Sequence, residues 1–261
     1  MSRPTTFLVA AAALALATPG GAQEIVHAYG PGGPLPAVKE AAESFSKSRG
    51  VRVEVTGGPA DAWMQKARAD ADLIFSGSEY MMTDFVKAMD GRIDETSTVS
   101  LYLRPSAILV RRGNPKGIRD LPDLGKPGVK VLVVQGAGQT GMWEDMAGKQ
   151  GEIGLIRALR KNIVVHAANT GAAKQMWTER ADLDAWIVYN IWQVANPQLA
   201  DIVPVSKEYV VYRSSGAALT KQGAQRPIAR EFLEFLQSRE GAAIFKKWGW
   251  MTGSDRDPVR G

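Results

Sequence analysis

One feature restricts the fold of this sequence more than any other. Short apolar strand segments alternate with helical segments, and the strands run into turns of small or polar residues that open the next helix. Residues 24–29 are a short apolar run, and Gly30-Pro31-Gly32-Gly33-Pro34 is a turn. Leu35, Val38, Ala41, Ala42 and Phe45 then recur at helical spacing, with Lys39, Glu40 and Glu43 on the other side. Gly50 closes that helix, and Val51, Val53 and Val55 alternate with polar residues as a strand. A strand–helix–strand unit of this kind implies a parallel sheet. A helix over 60–69, a strand over 71–75 and a helix over 80–89 continue the pattern. A second set follows: strands over 129–134, 162–166 and 185–188, and helices over 142–149, 154–161, 172–178 and 191–195. Strands over 202–205, 209–212 and 217–220 and two final helices complete the chain. The expected fold is α/β with two lobes, each a mostly parallel sheet flanked by helices.

No Ser/Gly-rich or charged stretch separates the two sets. The long apolar segment 101–111, interrupted by Pro105, reads instead as a strand that leaves one lobe and enters the other, and 209–220 as the return. Two crossing strands make a hinge. The expected division is 23–105 with 213–261 in the first lobe and 106–212 in the second. Residues 1–22 carry Arg3, an unbroken apolar stretch from Phe7 to Ala17 and the small residues Gly20-Gly21-Ala22, which is the pattern of a secretory signal. Eleven apolar residues fall short of the roughly 20 that span a bilayer. The expectation is therefore an exported chain that is not embedded in a membrane.

The composition, 45% hydrophobic and 23% charged, excludes disorder and fibrous repeats. Without cysteine, an exported chain is held by its core, and thiol catalysis and cysteine metal sites are excluded. With only two histidines, His27 and His166, a histidine-rich zinc site is improbable, and no metal or cofactor is expected. The net charge of +5 is dispersed, with no basic run that would track a phosphate backbone, so nucleic acid is not an expected partner. A nucleophile elbow of the Gly-x-Ser-x-Gly kind is absent, and neither histidine has a spacing partner, so no catalytic set is visible.

In open parallel sheets, ligands bind beyond the carboxyl ends of the strands. The turns there are 30–34, 57–59, 76–78, 136–141, 169–171 and 189–190. Glycines let the backbone approach a ligand, and each helix start offers unpaired N–H groups and about half a positive charge. Several such starts facing one cleft hold an anion. The candidate ligand residues are Gly32, Gly33, Trp63, Ser76, Ser78, Arg104, Ser106, Gly138, Thr140, Asn169, Thr170, Tyr189 and Asn190. Ser76, Ser78 and Thr140 serve equally well as helix caps or turn residues. Trp63 is either core or cleft wall. Arg104 lies among apolar residues at the first crossing, where a guanidinium either pairs with an internal acid or grips a ligand carboxylate with two prongs.

Five phrases carry a family resemblance: Tyr29-Gly-Pro-Gly-Gly-Pro34, Ile74-Phe-Ser-Gly-Ser-Glu79, Tyr102-Leu-Arg-Pro-Ser-Ala-Ile-Leu-Val110, Gly136-Ala-Gly-Gln-Thr-Gly-Met-Trp-Glu-Asp-Met-Ala147 and Tyr189-Asn-Ile-Trp-Gln-Val-Ala-Asn-Pro197. They resemble the accessory colonization factor AcfC family, within the wider group of periplasmic molybdate/sulfate-type solute-binding proteins. The resemblance covers nearly the whole chain after the signal. It implies the two-lobed periplasmic-binding-protein (type II, venus-flytrap) fold and a periplasmic role in capturing a small anion; the expected partner is an ABC transporter permease or a chemoreceptor, and the expected state a monomer. It maps the ligand turns onto Gly32, Gly33, Ser76, Ser78, Ser106, Thr140, Asn169 and Tyr189. The relatives that bind tetrahedral oxyanions use mainly neutral donors, so Arg104 departs from them and raises a small carboxylate or amino dicarboxylate beside sulfate and molybdate. A secreted colonisation or interaction protein and a hydrolase are the alternative readings.

Overall fold

The computed structural model describes residues 24–136 and 138–252; the signal segment 1–22 lies outside them. Nine strands form one sheet: β1 (Ile25–Gly30), β2 (Arg52–Gly57), β3 (Leu73–Ser76), β4 (Val99–Val110), β5 (Val131–Val134), β6 (Ile163–Ala167), β7 (Ala185–Tyr189), β8 (Asp201–Pro204) and β9 (Tyr212–Leu219). The helices are α1 (Leu35–Arg49), α2 (Ala60–Asp70), α3 (Glu79–Ala88), α4 (Met142–Gly148), α5 (Ile153–Asn162), α6 (Thr170–Glu179), α7 (Ile191–Ala195), α8 (Pro227–Gln237) and α9 (Arg239–Lys247). Strand order is β2-β1-β3-β9-β4-β7-β5-β6, with β8 also on β4. Strands β1, β2 and β3 are parallel, as are β5, β6 and β7, while β9 and β4 run against their neighbours. This is the two-lobed α/β architecture that the alternation predicts.

Strand β4 is the element that joins the halves. Its residues up to Pro105 pair with β9, and those from Ser106 onward pair with β7. The two sheets foreseen are thus one ladder that changes partners along a single strand. Proline donates no hydrogen bond, and at this point the ladder has no need of one. The returning segment differs from expectation. Rather than two strands at 209–212 and 217–220, there is one, β9, and Tyr209 and Val210 lie outside it. Ser106 accounts for the change: its N–H donates to the Val211 carbonyl, and its Oγ accepts from the Val211 N–H at 2.9 Å. A side chain thereby replaces one rung of the ladder.

The first half buries Val38, Ala41, Ala42 and Phe45 of α1 against the sheet, and Phe45 meets Phe232 and Phe235 of α8 with ring centroids 5.3 and 5.5 Å apart. Gly50, at φ 68°, ends α1 and donates its N–H to the Ser46 carbonyl. In the second half, all four residues of β5 and all five of β7 are buried, as central strands covered on both faces require. Among the described residues no helix is long and apolar enough to cross a membrane. The carboxyl ends of β1, β2 and β3 face those of β5 and β6 across a gap, with β4 at its base.

Candidate functional site

That gap is a cavity of about 690 Å³. From the first half it is walled by 31–34 after β1, 58–61 after β2, Gly77 after β3, and one face of α3 that includes Tyr80, Met81 and Asp84. From the second half come Gly136 and 138–140 after β5, 168–171 after β6, and Trp192 on α7. Helices α1, α2 and α6 begin at the wall. The first turns of α1 and α2 have no side-chain cap, which leaves some N–H groups there for a ligand, while Pro36 supplies none and Ala62 donates to the Pro59 carbonyl.

Of the sequence candidates, Gly32, Gly33, Arg104, Gly138, Thr140, Asn169 and Thr170 line the cavity. Arg104 is the cation among these lining residues. Its guanidinium stacks on the Tyr189 ring, 3.8 Å from the centroid, and one Nη donates to the Gly77 carbonyl. Its Nε is buried without a partner, and no described carboxylate lies within ion-pair distance. Burial pulls this guanidinium down to about 10, and the positive charge of Arg213 adds to the effect, so it is still charged at neutral pH. A Cβ on Gly77 would stand 2.9 Å from an Arg104 Nη, so a side chain there would displace the guanidinium. Gly138 crosses the gap. It has φ +76°, and a Cβ on it would stand 2.8 Å from Ser78 Oγ and 2.9 Å from Met81 Sδ.

Six candidates stand behind the wall instead. Trp63 packs between Tyr29 and Phe85, and its indole N–H supports the turn by donating to the Gly58 carbonyl at 3.2 Å. The hydroxyl of Ser78 caps α3 by accepting from the Met81 N–H at 3.1 Å. The hydroxyl of Ser106 is consumed at the crossing already described. Ser76 is fully buried, and its carbonyl accepts from Ser215 Oγ. Tyr189 is the platform under Arg104, and burial raises its phenol. Asn190 donates from Nδ2 to the Gly249 carbonyl at 2.7 Å, joining α7 to the C-terminal segment.

Sequence reasoning passed over Gln139, Met81, Asp61 and Asp84 as ligand residues. Gln139 is buried, donates from Nε2 to Thr170 Oγ1 at 2.7 Å and leaves Oε1 unpaired. Its place inside the 136–141 turn was the available signal. Among the described residues, no three acidic or histidine side chains converge to hold a metal. The arrangement can desolvate a small ligand and offer it one guanidinium, several backbone N–H groups and the hydroxyls of Thr140 and Thr170. It presents no nucleophile paired with a base.

The profile of the bacterial extracellular solute-binding protein family matches residues 26–251. Among solved structures, L-phospholactate-bound PEB3 is 35% identical with a TM-score of 0.83, over 87% of this chain and 99% of that one. Peb3 from Campylobacter jejuni is also 35% identical over the same shares, with a TM-score of 0.81. The sulfate-binding protein SubI from Mycobacterium tuberculosis is 19% identical with a TM-score of 0.71, over 87% and 86% of the two chains, a likeness of fold. No curated protein matches the chain.

Proposed function

The chain belongs to the family of bacterial extracellular solute-binding proteins, and from that premise we propose that it captures a small anion between its lobes. The observation that carries this reading is the guanidinium of Arg104, buried at the base of the cavity with an Nε donor that no protein acceptor satisfies and no carboxylate beside it. An uncompensated buried charge is costly and persists where a ligand completes it. PEB3 binds L-phospholactate, which bears a carboxylate and a phosphate, and that supports an acid as the ligand class.

The proposed cycle has three steps. The anion enters an open cleft and meets Gly32, Gly33 and Arg104. The lobes, 23–105 with 213–261 and 106–212, then turn about the strand crossing. Gly138, Thr140, Asn169 and Thr170 complete the shell, and the ligand selects the closed form because both sets of donors reach it only there. Delivery to an ABC transporter permease or a chemoreceptor follows, with export to the periplasm directed by 1–22. No covalent step is assigned. Sulfate, molybdate, small carboxylates and amino dicarboxylates all fall within this class, and membership of the AcfC group is part of the same proposal.

The test is a thermal-shift screen of the purified chain against sulfate, molybdate, phosphate and small carboxylates. At least one anion is expected to raise the melting temperature in the wild type and not in Arg104→Ala. If no anion does so, capture is refuted and a secreted interaction protein becomes the better account.

A further inference from the structure

The cavity is bipolar. At its base stands Arg104, 3% exposed, with Nε unpaired. Its α2–α3 wall carries two carboxylates, Asp61 in the first turn of α2 and Asp84 on the cavity face of α3. The contact of Trp63 with Phe85, 5.2 Å between ring centroids, holds these two helices together behind the wall. Among the described residues, neither Asp61 nor Asp84 has a hydrogen-bond or ion-pair partner. Near them the lining is Met64, Met81, Phe85 and Ala88, which offers no cation. On the opposite wall, Gln139 is 2% exposed and presents an unpaired Oε1, another acceptor without a donor.

Both carboxylates are exposed, so solvent weakens their field, yet on the wall of an anion pocket they still disfavour a ligand that is negative throughout. They favour one whose far end is positive. A volume of about 690 Å³ also exceeds what a single tetrahedral oxyanion fills, so space remains between the guanidinium and the acidic wall.

We propose that the ligand is a zwitterion, with an acid group on Arg104 and an ammonium group between Asp61, Asp84 and Gln139 Oε1. The inference rests on anion capture as proposed above and deepens it by naming the second group of the ligand. On closure the ammonium loses water and exchanges it for carboxylate and amide oxygens, charge-assisted contacts that a neutral alkyl end cannot make. The backbone N–H groups of the turns remain directed at the acid end.

Three matched probe series separate the possibilities: ω-aminoalkyl phosphates of two to four carbons, the n-alkyl phosphates of equal length, and the ω-carboxyalkyl phosphates. Calorimetric titration is expected to rank them amino over alkyl over carboxy at the best chain length, with amino and alkyl separated by about fivefold or more. In the double variant Asp61→Asn/Asp84→Asn that separation is expected to shrink towards one. Equal binding of amino and alkyl probes, tighter binding of carboxy probes, or a preference that survives in the double variant overturns the zwitterion while leaving anion capture standing. Failure of every probe and of every anion in the thermal-shift screen removes anion capture and the zwitterion together.

Discussion

Two arginines belong to the crossing strand, one at its middle and one just past its end, and their side chains meet different fates. Arg104, within β4, and Arg111, just beyond it, both lay a guanidinium on an aromatic face, at 3.8 Å from the Tyr189 centroid and 3.7 Å from that of Trp177. Arg111 spends its donors on three carbonyls: Leu183 at 2.7 Å, Trp177 at 3.0 Å and Arg180 at 2.6 Å. The nearby Asp184 and Asp182 partly offset the lowering that burial causes. Arg104 has one carbonyl, no acid and an unpaired Nε. A guanidinium closed by backbone acceptors is a strut. One left open beside a cavity is a receptor, and the stack beneath it holds the plane steady until a ligand arrives.

Replacing each arginine by methionine sharpens this contrast. Arg104→Met is expected to weaken the anion found in the screen by about a thousandfold, or about 4 kcal/mol, because a desolvated charge pair is lost. Without ligand, the same variant is expected to melt at or above the wild-type temperature, since an unpaired buried charge has been replaced by a well-sized apolar side chain. Arg111→Met is expected to do the reverse. It leaves three carbonyls without their charged donor, so urea unfolding should show a loss of about 3 kcal/mol with affinity nearly intact. If both variants lose stability and neither loses binding, the two arginines do the same job and the contrast is false.

A smaller effect tests whether the cavity must close. Gly138→Ala places a Cβ at φ +76° against Ser78 Oγ and Met81 Sδ. The expected cost is about 1 kcal/mol in stability and about tenfold in affinity, with small-angle scattering showing a liganded form more open than wild type. Smaller still is the contribution of the ion pair between Asp145 on α4 and Arg213 on β9, 2.7 Å apart and largely exposed. Asp145→Asn is expected to change affinity by no more than about threefold, with the difference fading in high salt.

The architecture was legible because hydrophobic period and glycine turns announce a doubly layered α/β fold locally, without reference to tertiary contacts. The crossing was legible too: a long apolar run such as 101–110 has no place as a surface linker. The site was harder. A strand-end residue turns into the layer or out of it according to a register of one residue, so Ser76 and Tyr189 fall behind the wall while Gly33 and Gly138 fall on it. Ser78 and Ser106 have hydroxyls that suit a ligand, but backbone N–H groups nearer in the chain or across the crossing claim them first. Asp61 and Asp84 were hidden for the opposite reason. An acid on an exposed helix face reads as ordinary solvation until the opposing half of the cavity is in place.

The weakest expected effect is a dependence on pH that is nearly flat, and it bears directly on Arg104. Burial pulls this guanidinium down from its ordinary value to about 10. Below about pH 10 the free folded protein therefore carries the charged form at a cost that the unfolded chain does not bear, and that cost is relieved as pH rises above about 10. A bound anion favours the charged form and pushes the value back up, so above about pH 10 binding takes up a proton and affinity falls with rising pH. Between about pH 6 and 8 the guanidinium stays protonated, and no histidine is among the residues that line the cavity. For sulfate, or any strong-acid anion that the screen returns, calorimetry should find affinity constant within about twofold across that interval. A tenfold change there would mean that a group titrating near neutrality governs the site, and Arg104 would lose its place as the cation that grips the ligand.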